Sequence, residues 1–233
     1  PAVGRNLTDH PRVEVVYRPT PALIRNTRAH ASSKPARAQS LIKARSDGCP
    51  PDTWDLHVMM RVRRPLSADP AATPGEPVAH LYVHAMKPAS RGRVRIASKD
   101  PDVVPTIDHA FLSDPAGNDV ATLVSGIGFA RRLAQTHAVS EVLEEELAPG
   151  PISGADLEDY MTGSVGGYWH PVGTCAMGPP DDSRAVVDAS GRLHGSPNVY
   201  VVDASIMPTI PRSNTQLPVI AIAERISDLL RAR

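Results

Sequence analysis

Residues 168–178 read Tyr168-Trp169-His170-Pro171-Val172-Gly173-Thr174-Cys175-Ala176-Met177-Gly178. Residues 198–215 bring Asn198-Val199-Tyr200-Val201-Val202-Asp203-Ala204-Ser205, then Pro208-Thr209-Ile210-Pro211, then Ser213-Asn214-Thr215. Val187-Asp188 and Gly191-Arg192-Leu193-His194-Gly195 lie between them. His170 sits in a Gly-rich loop flanked by aromatic residues. An imidazole there can act as a general acid or base near neutral pH, or can serve as a structural hydrogen-bonding group. Asp203-Ala204-Ser205 ends an apolar run. Such an end is where ligands lie in α/β proteins, and it is also where a chain simply turns. Asn214-Thr215 precedes the last helical pattern. The pair either caps that helix or, with its free N–H groups and positive dipole end, meets an electron-rich ligand.

Outward from this stretch, Leu217–Arg231 has helical apolar spacing with Pro218 in its first turn. Asn198–Asp203 is expected as a short buried strand. Upstream, Val13–Pro19 and Asp55–Arg61 have strand character. Val78–Met86 and Arg91–Ile96 alternate and are expected as a hairpin or neighbouring strands. Pro101–Asp108 reads as an extended connector. Gly117–Thr136 carries Val120, Leu123, Val124, Ile127, Ala130 and Ala134 at helical spacing, with Asn118 or Asp119 as the expected cap. Ser153–Thr162 is a shorter helix, with Ser153 as N-cap and Asp156 completing a capping box. Residues 20–53 are rich in Pro, Ser, Ala and Arg, with a helix expected over Ala36–Lys43. The proline-rich residues 64–77 are expected as a surface loop.

Composition narrows the function classes. Lys+Arg and Asp+Glu both number 25, giving a net charge of zero, so no basic field points to nucleic acid. No stretch approaches the roughly 18–20 apolar residues of a membrane helix, and Pro1–His10 has no signal-peptide pattern. Cys49 and Cys175 make no disulfide framework, and a reducing, cytoplasmic setting is expected. No His/Cys pair has metal-ligand spacing, so no metal site is expected.

The ordered set of His170-Pro171-Val172-Gly173-Thr174, Met177-Gly178, Val186-Val187-Asp188, Arg192-Leu193-His194-Gly195, Asn198 to Pro211, and Asn214-Thr215 before an Ile-Ala-Glu helix closely resembles the end of glucose-methanol-choline (GMC) oxidoreductases. Lys87-Pro88, Ser90-Arg91-Gly92, Asp100-Pro101, Ile107-Asp108 and Asp114-Pro115 are similar to that family's substrate-domain core. Val3-Gly4-Arg5-Asn6-Leu7 with Asp9-His10-Pro11 is similar to its exit from the flavin domain. The resemblance is weakest over residues 20–80.

The resemblance implies an FAD-dependent oxidoreductase acting on a small-molecule alcohol. A histidine takes the hydroxyl proton while hydride leaves the carbon for flavin N5. The catalytic histidine falls on His170, and its partner, His or Asn among members, falls on Asn214, as in choline-oxidase-like members. The cofactor-binding positions fall on Asp203 and Ala204 (phosphate and ribityl region), Asn214 and Thr215 (flavin edge) and Val172 (flavin or substrate wall). His10, His194, Cys175 and Met177 read as structural. The implied fold is α+β, α/β in the complete enzyme. Residues 1–12 leave the FAD-binding domain. Residues 13–164 form a substrate domain with a largely antiparallel sheet and flanking helices, and residues 165–233 return to complete the FAD-binding domain.

The Gly-x-Gly-x-x-Gly dinucleotide fingerprint is absent: neither Gly126 with Gly128 nor Gly163, Gly166 and Gly167 reproduces it. The chain, opening on Pro1, is therefore expected to be a fragment, a split subunit or a truncated sequence. Its partner would be an amino-terminal FAD-binding half, in cis or as a separate chain. Two alternatives stand beside the enzyme: a catalytically silent or partner-binding module that cannot hold FAD alone, and a flavin-containing hydroxynitrile lyase.

Overall fold

The structure, a computed structural model, describes residues 2–29, 40–63 and 77–232. It is a mixed helix and antiparallel-sheet fold that groups into two compact units. One holds residues 12–85 and 120–166; the other holds 1–11, 86–119 and 167–233. The sequence expectation of a continuous 13–164 unit differs from this grouping at 86–119.

The first unit is built on an antiparallel sheet. Its strands are β2 (Pro11–Pro19), β3 (Leu41–Ala44), β4 (Leu56–Arg63), β5 (Val78–Ala85) and β8 (Leu143–Ala148), in the order β3-β4-β5-β2-β8. Alternation along β2, with Val13, Val15 and Tyr17 buried, directs one face to the core. Helix α2 (Asn118–Ala134) buries Leu123, Ile127, Ala130 and Ala134 along one stripe. Each such side chain stabilises by about 1.5–3 kcal/mol. Gly126 allows the close approach to the sheet, since a Cβ there would lie 2.4 Å from Val83 Cγ1 and 2.9 Å from Leu56 Cδ2. Helix α1 (Pro21–Ala29) was not expected from composition, but its start is legible in Thr20-Pro21. The Leu23 amide donates to Thr20 Oγ1 at 3.3 Å, and Pro21 occupies the first helical position. The helix expected over 36–43 ends instead in strand β3, and its first residues, 36–39, lie outside the described residues. All but residue 77 of the loop expected at 64–77 lies outside them too.

The second unit carries the sheet β1 (Arg5–Leu7), β6 (Gly92–Arg95) and β7 (Thr106–Asp108), in the order β1-β6-β7. This corrects the pairing expected between 78–86 and 91–96, as a hairpin or as neighbouring strands. β5 is flanked by β2 and β4, while β6 takes β1 and β7. Part of the supposed connector 101–108 is strand β7. The rest of this unit is mostly loop, closed by α5 (Gln216–Arg231). Ile222, Val219 and Ile226 of α5 pack on Val172, Ile206, Met207 and Ile210, which seats the head of the helix beside the 170s loop. The short strand expected at 198–203 does not form. Tyr200 makes one bridge to Arg192, and the Val201 amide donates to Gly191 O at 2.8 Å. A strand exists only through a neighbour that takes its N–H and C=O groups, and this run finds one over only a few residues.

Local capping also differs from expectation. Asp114, not Asn118 or Asp119, satisfies the start of α2, its carboxylate accepting from the Asn118 amide at 2.8 Å and the Asp119 amide at 3.2 Å. Asp119 turns away and, 2% exposed, accepts from the Ala89 amide at 2.7 Å and the Ser90 amide at 2.9 Å. Replacing Asp119 with Ala would orphan two amides, so we expect a loss of about 1–3 kcal/mol, read as a lower thermal midpoint. An unchanged midpoint would contradict that role. The helices α3 (His137–Ser140) and α4 (Ala155–Ser164) complete the set. In α4 the N-cap is Gly154 with no side-chain cap bond, so the expected Ser153 capping box is not formed. Among the described residues, no helix is long and apolar enough to cross a membrane.

Candidate active site

Two segments far apart in sequence meet within the second unit. The Thr8 amide donates to Val172 O at 3.0 Å and the Val172 amide to Thr8 O at 2.9 Å, while the Gly4 amide donates to Thr174 O at 2.8 Å. On its other side the loop is tied to 204–206: the Cys175 amide donates to Ser205 O at 2.8 Å and the Met177 amide to Ile206 O at 2.8 Å. Gly173 is required in this sandwich. Its φ is +93°, and a Cβ would lie 2.4 Å from the Asn6 carbonyl oxygen.

Asp9 then fixes the two histidines. Its Oδ1 accepts from the amide of His10 at 2.7 Å and from that of His170 at 2.9 Å. Trp169 adopts φ 61°, a left-handed conformation that a bulky residue seldom takes, immediately before His170. Gly167 leaves room for the carboxylate, since a Cβ there would lie 2.5 Å from Asp9 Oδ2.

His170, 9% exposed, is contacted on both ring nitrogens. Its Nδ1 lies 3.0 Å from His10 Nδ1, and its Nε2 lies 3.1 Å from Asn214 Nδ2. His10 Nε2 in turn lies 3.0 Å from the Pro211 carbonyl oxygen. The Tyr168 ring sits 4.3 Å from that of His170, centroid to centroid. Burial pushes the His170 imidazole below its ordinary 6.5, and the Asp9 charge opposes that shift. Burial therefore favours the neutral ring, which has a lone pair to offer. Lys87 braces the far side of the site, donating to Thr209 Oγ1 at 2.6 Å and Ile210 O at 2.8 Å, next to the Pro211 carbonyl. Burial, Arg212 and Arg91 hold the Lys87 ammonium below its ordinary pKa.

Three of the remaining sequence-derived positions, Val172, Asp203 and Ala204, line an open cleft of about 410 Å³ together with Leu7, Val94 and Ile107. Asp203 does not end a strand. It opens the 3₁₀ turn Ala204–Ile206, its Oδ1 accepting from the Ser205 amide at 2.8 Å. Thr215 is the N-cap of α5 but makes no side-chain cap bond, and Asn214 spends its amide on His170 rather than on the helix. Asp9, His10 and His170 each place one metal-competent atom within 4.8 Å of the others. The two Nδ1 atoms face each other, and Asp9 Oδ1 accepts from two amides. His10, read from sequence as structural, lies in direct contact with His170. The only signal for that was the Asp9-His10-Pro11 motif itself. Lys87 and Pro211 lay in quoted motifs, but nothing in the sequence gave either of them a role at the site.

Residues 88–223 match the family model described as GMC oxidoreductase. The 5-(hydroxymethyl)furfural oxidase of Methylovorus sp. (strain MP688) is 37% identical over 248 residues, covering 99% of this chain and 43% of that protein. The choline oxidase of Arthrobacter globiformis is 37% identical over 145 residues, covering 61% of this chain and 27% of that protein. In structure, pyridoxine 4-oxidase from Mesorbium loti superimposes with a TM-score of 0.82 at 29% identity, covering all of this chain and 44% of that one. The chain spans less than half the length of each of these relatives. With more than half of its own length matched by the family, this chain belongs to the GMC oxidoreductases, as their carboxy-terminal region.

Proposed function

We propose that this chain supplies the base and part of the flavin-facing wall of an FAD-dependent alcohol oxidoreductase. The observation that carries the proposal is the contact at 3.1 Å between Asn214 Nδ2 and His170 Nε2, on an imidazole whose charged form burial disfavours. An alcohol whose hydroxyl reaches Nε2 gives its proton to that nitrogen. Asn214, which cannot titrate, steadies the oxygen. As the C=O bond forms, the carbon-bound hydrogen departs with its electron pair. FAD, when bound, supplies the two-electron acceptor. A positioned base of this kind contributes roughly 10²–10⁴-fold in rate.

The residues present suit the ring-bearing part of FAD. Val172, Val94, Ile107 and Leu7 give the 410 Å³ cleft an apolar wall, with Asp203 at its polar edge. Asn214 and Thr215 stand at the head of α5, whose N–H groups and dipole favour electron density on a ligand. The pyrophosphate fingerprint is not in this sequence, so the proposal includes an amino-terminal half that carries it, in the same polypeptide or a separate one. Leu217 and Ile220 on α5, 77% and 49% exposed, fit a surface that such a half would cover.

The test is spectroscopic. The chain joined or mixed with the amino-terminal half should hold a yellow flavin that bleaches anaerobically with an alcohol. The panel should begin with hydroxymethyl-bearing rings, the kind of compound named for two of its relatives. The chain alone should retain no flavin. A complex whose flavin stays oxidised through the whole panel would overturn the proposal, and cyanohydrin cleavage by that complex would replace it with a lyase.

A further inference from the structure

The Pro211 carbonyl, His10, His170 and Asn214 form a hydrogen-bonded chain with only one direction open to neutral rings. At its far end is the Pro211 carbonyl oxygen, which can only accept. The His10 Nε2 facing it at 3.0 Å must therefore carry the hydrogen. A neutral His10 that donates from Nε2 has a bare Nδ1, and that nitrogen lies 3.0 Å from His170 Nδ1. Two bare nitrogens would repel at that distance, so His170 donates from Nδ1. Its Nε2 is then the lone-pair nitrogen, which is the role the Asn214 amide, 3.1 Å away, calls for. Each contact agrees with the next, and no other pair of neutral tautomers satisfies all three.

We propose that His10 is a positioning residue: braced on the Pro211 carbonyl, it holds His170 in the Nδ1–H tautomer and so presents Nε2 as the basic nitrogen. Free imidazole side chains exist as both tautomers, and a base in the wrong one has its hydrogen where its lone pair is needed. His10 also acts after proton transfer. The imidazolium formed on His170 donates from Nδ1 to His10 more strongly than the neutral ring does, which stabilises the charge in a site that otherwise disfavours it. The groups facing the pair include the Asp9 carboxylate on the backbone side, the Tyr168 ring against both imidazoles, and the Asn214 amide. Asp9 spends Oδ1 on two amides, so His10 is the ring partner seen at His170 Nδ1.

The part of this inference that concerns catalysis rests on His170 being the base, and two separate readouts divide the two claims. In flavin-loaded protein labelled with ¹⁵N histidine, long-range ¹H–¹⁵N spectra should show His170 as Nδ1–H and His10 as Nε2–H. His10→Leu, which cannot accept, should retain flavin and shift His170 toward Nε2–H. It should also lower kcat roughly tenfold to a hundredfold with KM little changed, a share of what a general base supplies, and move the acid limb of the pH profile to lower pH. His10→Asn places an amide oxygen as many bonds from the backbone as Nδ1, and should restore the Nδ1–H tautomer and most of the lost rate. A wild-type His170 found as Nε2–H would overturn the tautomer assignment, even if His10→Leu fails to fold. A tautomer that does not respond to His10→Leu would remove His10 from the role. A tautomer that shifts while turnover holds would leave the assignment standing and remove His170 as the base.

Discussion

Replacing His170 with Ala will lower alcohol turnover in the complete flavoenzyme by roughly a hundredfold or more, with flavin retained. In the proposed reaction the hydroxyl proton goes to Nε2, the ring nitrogen that the Asn214 amide contacts at 3.1 Å. Asn214 cannot take a proton, and His10 is turned toward the Pro211 carbonyl, so neither inherits the task. Flavin should stay because His170 is not among the residues lining the apolar cleft. The parent enzyme should show the complementary pH signature. Burial lowers the His170 pKa from its ordinary 6.5, so if His170 takes the proposed proton, kcat/KM should fall only as pH drops through that lowered value. The same shift acts on stability. The unfolded chain binds the proton first, so His170's contribution is full above 6.5 and is lost as pH falls toward its native value. A His170→Ala enzyme with near-normal turnover, or one that keeps the parent's acid limb, would exclude this imidazole as the base.

Replacing Gly173 with Ala should damage the fold around the site severely. Its φ of +93° costs any L side chain, by about 1–2 kcal/mol in the left-handed region. The added Cβ would also meet Asn6, whose carbonyl oxygen lies 2.4 Å from the ideal position and whose Nδ2 lies 2.8 Å from it. The carbonyl is backbone and cannot step aside, and Asn6 Nδ2 is itself held by the Gly173 carbonyl at 3.3 Å. Overpacking of this kind adds about 1–3 kcal/mol. The combined loss, about 3 kcal/mol, should lower Tm by roughly 10 °C for a chain of this size. The clash falls on the segment that pairs 172–174 with 4–8, so the orientation of His170 should suffer as well. A Tm within about 2 °C of the parent's would contradict the crowding inferred here.

The long helices were legible because their apolar spacing is local. Leu123, Ile127 and Ala130 announce α2, and Val219, Ile222 and Ile226 announce α5. β2, β4 and β5 announce themselves through alternation or apolar runs. Sheet membership was not legible. β6 follows β5 within a few residues yet pairs with β1 and β7, and nothing within the strands states which partner supplies the neighbouring N–H groups. Caps failed for a related reason. Asp114 reaches the start of α2 from outside the helix, and Asp119, a good cap by type, is drawn to the amides of Ala89 and Ser90 some 30 residues earlier. At the site, the motifs named His170 and Asn214, and the fold brings them into contact. The pairing of His170 with His10 was hidden, because their separation of 160 residues leaves no periodic trace.

The carboxylate of Asp9 joins the amides of residues 10 and 170, and the closing of so long a loop has a consequence for synthesis. Chains leave the ribosome amino end first, and the entropic cost of loop closure must be met before a distant contact returns anything. Asp9 and His10 thus wait in a nascent segment that has no use for them. His170 acquires its surroundings only when residues 211 and 214 have also emerged and docked.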